Sequence, residues 1–268
     1  MSQTEPGTDA LTARSSRVVA ARKLQRRRGR EKAGRFLAEG PQAVREAVEA
    51  GAAEDLFYTI EADARHDELI DAAAAAGVHL HPTTDEALAS LAETVTPQGL
   101  IAACRFLDQR LPPEANLVAV LHGITDPGNA GTVLRAADAA GADCVVFGTD
   151  SVDPYNGKCV RASAGSLFHL PVIRGADTAE MLGIFDHAQI LAAVTGGEDL
   201  FALSANGELD APTVWLLGSE AHGLDEATAA LAHRRVGVPV WGKAESLNLA
   251  VAAGVCLYAS AAQQRLAS

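Results

Sequence analysis

The sequence predicts an α/β fold in two parts, and three observations lead to that prediction. Short strand-like and helix-like segments alternate over residues 14–106. A stretch with adjacent prolines, residues 107–116, follows and is typical of a linker. Over residues 117–268, near-continuous apolar runs alternate with helical segments, which indicates a parallel sheet covered on both faces. We therefore expect a small N-terminal α/β domain and a larger parallel-sheet domain.

The elements of the first part follow from local patterns. Residues 1–13 predict a disordered tail, and Ser16 to Gly34 predicts one helix. The spacing from Thr83 to Glu86 predicts a capping box at the start of a later helix. With helices between them, the predicted strands are RFLAEG, DLFYTI, VHLHP and GLIAACRF.

The second part begins with a strand that runs into the loop of ITDPGNAGTVLRAADAAG, where a helix of small residues opens. The last helix is predicted from Ser246 to Gln264 and is apolar on every side. Because such a helix must be buried all round, we expect one side to pack on its own sheet and the other on a second subunit. The predicted strands are LVAVLHGI, CVVFG, QILAAVT, TVWLLG and RRVGVPV.

Composition limits the class of protein. With 268 residues, 48% of them hydrophobic, the chain can bury a core, and no apolar run is long enough to span a bilayer. The first residues are polar and include Glu5 and Asp9, which fits neither a signal peptide nor a transit peptide, so we expect a cytoplasmic protein. The four cysteines are isolated and predict reduced thiols. His79 and His81 share one face of a predicted strand, but no third ligand is evident, so we expect no metal site.

Charge is distributed very unevenly. The net charge of −12 argues against a polyanionic partner, yet ten basic residues and one acidic residue lie between Arg14 and Arg35, which leaves −21 on the remainder. A solvated helix face is one interpretation. Such an excess of one sign repels itself unless an anion relieves it, so a nucleic-acid-binding arm is favoured. The arm residues expected to contact the nucleic acid, RNA or DNA, are Arg22, Lys23, Arg26, Arg27, Arg28 and Arg30.

Three loops that follow predicted strands carry the polar residues of a candidate site. The first lacks both G-x-G-x-x-G and the P-loop pattern, so neither a dinucleotide nor a P-loop triphosphate is supported. In its helix, Arg135 lies opposite the buried face, where Asp138 could pair with it at the surface. The second loop belongs to LLGSEAHGLDE, and the third, VPVWGKAESLN, leads into the last helix.

Together the three loops resemble a known family. N-x-x-x-x-x-R from Asn129 to Arg135, G-x-E-x-x-G-L from Gly218 to Leu224, and S-L-N beginning at Ser246 look like the motifs of the SpoU (TrmH-like) branch of the SPOUT RNA methyltransferases. The resemblance covers residues 117–268. The part that contains FLAEG is similar to the family's ribosomal-protein-like, L30e-like RNA-binding domain.

The resemblance implies transfer of a methyl group from S-adenosylmethionine to a ribose 2'-hydroxyl of RNA. It also implies a domain with a trefoil knot and a homodimer through the last helix. Cofactor-binding residues, mainly through their backbone, are then Thr195, Gly196, Leu217, Gly218, Val238, Pro239 and Leu247. The implied catalytic set is Asn129, Arg135, Glu220, Ser246 and Asn248, and Arg161 and Ser163 match a segment that we interpret as RNA-contacting.

The family's catalytic arginine, matched here by Arg135, is often described as a general base. Because a guanidinium holds its proton tightly, we favour orientation of the ribose and stabilisation of the developing alkoxide. Asn129 and Glu220 are then expected to position Arg135 and the substrate. Ser246 and Asn248 would bind near the target ribose and the cofactor.

Other functions stay open at this stage. Ribosomal RNA is favoured over transfer RNA because the N-terminal part resembles a ribosomal-protein fold. A non-catalytic RNA-binding relative would not need all five catalytic residues. A nucleotide-dependent enzyme of another class is disfavoured by the absent glycine fingerprint and the basic arm. The sequence identifies neither the modified nucleotide nor whether the role is housekeeping or antibiotic resistance.

Overall fold

The structure is a computed structural model that describes residues 10–112 and 114–267. The chain forms two compact units. The first holds the described residues up to Phe106 together with Tyr155–Arg161, and the second holds Leu107–Pro154 and the chain from Ala162 onward. The sequence did not predict that Tyr155–Arg161 would group with the first unit.

The first unit is built on a four-stranded mixed sheet. Its strands are β1 (Arg35–Glu39), β2 (Ala53–Tyr58), β3 (His79–Pro82) and β4 (Leu100–Arg105), in the order β1-β4-β2-β3. β4 runs antiparallel to both neighbours, whereas β2 and β3 are parallel. The helices are α1 (Ser16–Arg22), a 3-10 turn (Lys23–Gln25), α2 (Arg27–Ala33), α3 (Pro41–Glu49), α4 (Ile60–Arg65), α5 (Asp67–Ala75) and α6 (Asp85–Leu91).

The prediction of a single helix from Ser16 to Gly34 is wrong, because the helix is interrupted at Arg26. That residue is extended, with φ −105° and ψ 137°. The buried guanidinium of Arg30 donates to the carbonyl of Leu24 at 3.0 Å, so a side chain supplies a hydrogen bond to a backbone carbonyl where the helix is interrupted. The two helical pieces also lie very close, since a Cβ on Gly29 would be 1.9 Å from a backbone oxygen.

Two further predictions in the first unit need correction. Met1–Asp9 lies outside the described residues, but the rest of the predicted tail is ordered: the amide of Leu11 donates to the carbonyl of Pro82 at 2.8 Å. The capping box is displaced by one residue. Thr84 caps α6, accepting from the amide of Ala87 at 3.2 Å, and Thr83 instead donates its hydroxyl to a strand carbonyl.

The second unit contains a six-stranded sheet in which every pair of neighbours is parallel, which confirms the predicted parallel sheet. The strands are β5 (Leu117–Leu121), β6 (Cys144–Gly148), β7 (Val172–Ala176), β8 (Gln189–Asp199), β9 (Thr213–Leu217) and β10 (Arg234–Gly237), in the order β10-β8-β9-β5-β6-β7. β7 was not predicted, because VIRGA is short and interrupted by Arg174 and Gly175. β5 and β9 are wholly buried, as their apolar sequences require.

The helices of the second unit are α7 (Pro127–Ala140), a 3-10 turn (Ser166–Phe168), α9 (Thr178–Leu182), α10 (Leu200–Ala205), α11 (Glu226–Ala229) and α12 (Leu249–Ala267). Between α7 and this turn, α8 (Gly157–Ala162) belongs to the first unit except for Ala162. α12 starts three residues later than predicted, because the side chain of Asn248 accepts from the amide of Ala250 at 2.9 Å and caps the helix. Buried Trp215 of β9 donates its ring N–H to Ser260 at 3.0 Å and ties α12 to the sheet.

The remaining predictions concern cysteines, metals and membranes. All four cysteines are buried thiols outside any disulfide, and burial raises the pKa of Cys144 and Cys256 to about 12. His81 lies 2.7 Å from a carboxylate oxygen of Asp55. Within residues 10–112 and 114–267, no group of three His, Cys, Asp or Glu side chains is arranged to hold a metal ion. No helix in the same residues has the length and apolar character to cross a bilayer.

Candidate active site

The predicted polar residues lie in loops at the carboxyl edge of the six-stranded sheet. α7 opens after β5, with Asp126 as its N-cap and Pro127 in its first turn, and the cap accepts from the amide of Asn129 at 2.9 Å. The second loop follows β9, and the third follows β10 and ends at α12. Because carboxyl ends of parallel strands share one edge, loops distant in sequence converge there.

One residue from each loop joins a chain of side-chain hydrogen bonds. Asn248 donates its Nδ2 to Oδ1 of Asn129 at 3.1 Å. Asn129 in turn donates its Nδ2 to Oε1 of Glu220 at 3.0 Å. The two bonds fix which way the amide of Asn129 faces, since one end accepts and the other donates. The structure thereby brings together three of the five predicted catalytic residues.

A cavity of about 660 Å³ adjoins this chain of hydrogen bonds, within the size range of sites that enclose small ligands. Among the predicted residues, its lining includes Asn129, Thr195, Leu217, Gly218, Glu220, Val238, Ser246, Leu247 and Asn248. Gly196, Pro239 and Arg135 are not part of the lining. The sequence missed further lining residues, Ala193, Val194, Ser219, Val236, Val240, Leu249, Ala252 and Cys256, whose only signal is that they flank predicted strands or the motifs.

Backbone geometry shapes the wall of the cavity. Between Ser219 and Gly223 the amides and carbonyls bond in both directions, at 3.0 and 2.9 Å, and close a tight turn. A Cβ on Gly218 would be 2.3 Å from the carbonyl carbon of Gly223, so only glycine fits there. The register of β8 with β10 also shifts, so residues 193–197 are skipped in the pairing with β10 beside the cavity. Such a wall suits a ligand held mainly by main-chain groups, as S-adenosylmethionine is expected to be.

Arg135 is exposed and stands apart from the cavity. It lies six residues after Asn129 on α7, about 9 Å along the helix axis. Within residues 10–112 and 114–267 it has no hydrogen bond or ion pair. The surface pair with Asp138 is not formed, because Asp138 lies 2.8 Å from Nδ1 of His169.

A groove of about 500 Å³ runs along the surface where α7 and α12 meet and includes Asn129 and Asn248 in its lining. Thr132, Val251 and Tyr258 also line it. The side of α12 at this groove is open in the single chain, where Val251 is 54% and Tyr258 52% exposed. The sequence predicts that one side of this helix packs on a second subunit. Thr132 and Arg135 are three residues apart, so they lie on neighbouring positions of one helix face.

A cluster that the sequence did not reveal supports the second loop. His122 follows β5 directly, with its Nδ1 2.9 Å from Oγ1 of Thr178 and its Nε2 3.4 Å from a carboxylate oxygen of Asp225. Hydrogen bonds from the hydroxyl and the amide of Thr228 lower the pKa of Asp225, with a smaller contribution from His122. Asp225 follows the motif residue Leu224, so the cluster holds one end of that loop.

The basic residues predicted to contact RNA fall into two groups. Lys23, Arg26, Arg27 and Arg28 are exposed around the break between the 3-10 turn and α2. Arg30, in contrast, is only 3% exposed and holds the backbone at that break, so it is a structural residue.

Three other predicted RNA contacts are engaged or buried. Arg22 is half-buried and donates to the carbonyl of Ala13 at 2.7 Å. Arg161, in the first unit, forms ion pairs with Glu39 and Glu93 at 3.2 and 3.3 Å. Ser163 is fully buried in the chain. Direct RNA contact stays a prediction, and the burial of Ser163 and Arg30 makes these two the least accessible of the predicted residues.

Comparison with known proteins agrees with the motifs. Residues 116–258 match the model of the SpoU rRNA Methylase family, and residues 15–102 match the MRM3-like substrate binding domain. The chain is 31% identical to the 23S rRNA (guanosine(2553)-2'-O)-methyltransferase RlmP of Bacillus subtilis, over 92% of this chain and 96% of the relative. It is 32% identical to the 23S rRNA (guanosine-2'-O-)-methyltransferase RlmB of Ralstonia nicotianae, over 78% and 86% of the two chains.

Solved structures show the same architecture. The SpoU methyltransferase AviRb of Streptomyces viridochromogenes, in complex with AdoMet, superposes with a TM-score of 0.81 at 28% identity, covering 95% of this chain and all of that one. An AdoMet-bound rRNA methyltransferase of Sinorhizobium meliloti gives a TM-score of 0.79 at 26% identity, covering 92% and 94%.

Proposed function

This chain belongs to the SpoU rRNA methylase family and is an S-adenosylmethionine-dependent RNA methyltransferase, and we propose that it methylates the ribose 2'-hydroxyl of a guanosine in 23S rRNA. The observation that carries the proposal is the hydrogen-bonded chain of Asn248, Asn129 and Glu220 beside the 660 Å³ cavity. The names of the two relatives, each a 23S rRNA guanosine 2'-O-methyltransferase, support the substrate class.

The cavity fits the cofactor because its wall is rich in backbone groups and its lining combines apolar side chains with polar ones. Five of the residues expected to hold S-adenosylmethionine line the cavity, namely Thr195, Leu217, Gly218, Val238 and Leu247, and the other two, Gly196 and Pro239, directly follow lining residues in the chain. When bound, the cofactor supplies an electrophilic methyl group on a sulfonium. The raised pKa of the cavity-lining Cys256 keeps that thiol neutral, so it does not compete as a nucleophile.

The protein's own residues must make a weak nucleophile effective. A ribose hydroxyl reacts only when it is held in line with the methyl group and when its developing negative charge is stabilised. Asn129 and Asn248 would orient the ribose, with Glu220 fixing the amide of Asn129 and Ser246 adding a hydroxyl at the rim. Arg135 would orient the ribose and stabilise the alkoxide through its guanidinium.

We place the second copy of the chain on the groove between α7 and α12. The lining of this groove is open and largely apolar, and its residues Val251 and Tyr258 are half-exposed. A homodimer through α12 would bury this surface. The arrangement also accounts for Arg135, which does not line the cavity of its own chain. Across a two-fold interface on this groove, each copy would bring its Arg135 to the cavity of the other.

Two finer structural features belong to the same proposal. The close packing of the loops at the cavity, where a Cβ on Gly197 would be 2.7 Å from the carbonyl oxygen of Arg235, supports a trefoil knot in the second unit. The first unit would be L30e-like and would bind RNA through the exposed cations Lys23, Arg26, Arg27 and Arg28. A ribosomal RNA substrate agrees with a cytoplasmic location.

The proposal is tested by offering unmodified 23S rRNA and transfer RNA transcripts with methyl-labelled S-adenosylmethionine. We expect label in 23S rRNA only, recovered as 2'-O-methylguanosine by nucleoside mass spectrometry. Label confined to transfer RNA would refute the substrate class, and no label in either would refute the proposed reaction.

The same assay tests the role of Arg135. Arg135→Ala should reduce methyl transfer by about 100-fold or more, the usual cost of losing a group that stabilises developing charge, without weakening cofactor binding. Arg110→Ala, at another exposed arginine of this unit, serves as the control. Full turnover by Arg135→Ala would show that Arg135 is a surface residue without a catalytic role.

A further inference from the structure

Two exposed aromatic side chains stack beside the cavity. The rings of Phe201 and Trp241 are 5.7 Å apart between centroids, with an angle of 18° between their planes. Trp241 is nevertheless 84% exposed, so the ring face away from Phe201 is open to solvent. A single exposed aromatic residue is ordinary. A stacked pair with one free face at the edge of a binding site, in contrast, offers a flat apolar surface on which a ligand can pack.

The chain positions this pair firmly next to the site. Trp241 follows Val240, which lines the cavity, and the same loop continues to the lining residue Ser246. Phe201 lies in the first turn of α10, where the carboxylate of Asp199 caps the helix and accepts from the amide of Phe201 at 2.8 Å. A rigid backing ring therefore supports the more exposed indole.

We propose that Trp241, backed by Phe201, stacks on an unpaired base of the RNA substrate next to the ribose that enters the cavity. The inference rests on the proposed function and adds a residue that would hold the substrate. Aromatic side chains commonly hold unpaired bases by stacking, because every base presents a flat π-face. The free face of an indole fixed beside the cavity supplies that surface.

The charges in this loop indicate how the contact would obtain its affinity. Lys243 is exposed and has no ion pair or hydrogen bond within the described parts of the chain, and exposed Glu245 follows two residues later. With one charge of each sign, the loop offers little net attraction to phosphates. The affinity must therefore come mainly from stacking, which releases no condensed counterions and is insensitive to salt.

Two other partners could cover this aromatic pair, and each would change a different measurement when Trp241 is replaced. The adenine of the cofactor could lie on Trp241, although Trp241 does not line the cavity. A second copy of the chain could cover the pair. Loss of cofactor affinity on removing the indole would identify the first, and loss of the dimer would identify the second.

The experiment compares full-length wild-type protein with Trp241→Ala, Trp241→Phe and Phe201→Ala. Binding to an unmodified 23S rRNA transcript should weaken about 5- to 150-fold in Trp241→Ala, by the same factor at low and high salt. Trp241→Phe should retain most of the affinity, and Phe201→Ala should lose less than Trp241→Ala. Cofactor affinity and sedimentation should match those of the wild type.

RNA affinity unchanged in Trp241→Ala would overturn the inference, as would a loss of cofactor affinity or of the dimer in that variant. The wild-type protein separates this failure from a failure of the proposed function. If wild type methylates the transcript and Trp241→Ala binds RNA equally well, only the stacking inference is wrong. If wild type does not methylate, the proposed function itself is wrong.

Fluorescence gives a second measurement, because the chain has two tryptophans and Trp215 is fully buried. Stacking on a base should quench the emission of Trp241 when the transcript is added to the wild-type protein. The quenching should disappear in Trp241→Phe, which keeps Trp215 as its one tryptophan. Equal quenching in both proteins would show that Trp241 does not contact the RNA.

Discussion

At the scale of single residues, Asn129 links the three motif loops. Its amide accepts from Asn248 and donates to Glu220, residues that lie 119 and 91 positions away in the sequence. An amide is suited to this place because it carries a donor and an acceptor at fixed separation. A carboxylate there could not donate to Glu220 and would be repelled by it.

Gly218 provides a residue-scale test of the cofactor site. Gly218→Ala should weaken S-adenosylmethionine binding by roughly 5- to 150-fold, because the added methyl group meets the backbone of Gly223 and must displace the loop. Gly242→Ala is the matched control, since a Cβ there meets nothing within 4 Å. Calorimetric titration with the cofactor measures both variants, and equal affinities would show that this loop does not form the binding wall.

Asp55 provides a test of stability against pH. Burial disfavours its charge, but hydrogen bonds from Arg35 and His81 outweigh burial and hold its pKa below the ordinary 3.8. A lowered folded-state pKa stabilises the protein above pH 4, and this contribution is lost as the pH falls further. Asp55→Asn should therefore cost about 1 to 3 kcal/mol at neutral pH and progressively less below pH 4.

Thermal or urea unfolding across this pH range measures the effect, with Asp71→Asn at an exposed position as the control. A difference between wild type and Asp55→Asn that stays constant down to pH 2 would contradict the assignment.

At the scale of elements, the basic N-terminal segment is part of a folded core. Val18, Ala21 and Leu24 are buried with residues of β1, β2, β4 and α6. Removing the first 34 residues would therefore expose this core and could not isolate the contribution of charge. Substitutions at exposed cations test RNA binding without that damage.

Replacing Arg26, Arg27 and Arg28 together by glutamine should weaken RNA binding and flatten its dependence on salt. Each phosphate contact to a single strand contributes about 0.7 to the log-log slope, so three lost contacts should lower it by about 2. Arg45→Gln, an exposed arginine of α3, is the control. An unchanged slope in the triple variant would mean that this segment is a solvated basic surface.

At the scale of the whole molecule, α12 carries the proposed dimer. Val251→Asp should give a folded monomer, because Val251 is already 54% exposed in the single chain and the charge is buried only when a second copy covers it. Leu231→Asp, 40% exposed in another part of the second unit, should remain dimeric. Sedimentation distinguishes these outcomes, and a wild-type protein that is monomeric at micromolar concentration would refute the dimer.

A mixed dimer tests whether Arg135 acts across the interface. One subunit carries Arg135→Ala and an intact cofactor wall, and the other carries Gly218→Ala and an intact arginine. If each active site combines a cavity from one copy with an arginine from the other, then at a cofactor concentration too low to occupy the Gly218→Ala cavity the mixture regains methyl transfer that neither homodimer shows. No recovery in a purified mixed dimer would place Arg135 at the cavity of its own chain.

The sequence alone determined the chemistry of this protein. Apolar runs separated by helical segments predicted the parallel sheet, because strands buried on both faces have no polar side. The three motifs, with their order and spacing, identified the family and predicted the residues of the site. These features are local, so each can be recognised without knowledge of the rest of the chain.

Only the tertiary structure decided which residues of one type serve which purpose. Arg26 and Arg30 are four residues apart in the same basic run, yet one is exposed and the other is 3% exposed. Arg135 belongs to a catalytic motif but does not line the cavity of its chain, whereas Trp241, outside every motif, stacks on Phe201 beside it. Burial and contact depend on which distant segments pack together, and residue type and spacing do not contain that information.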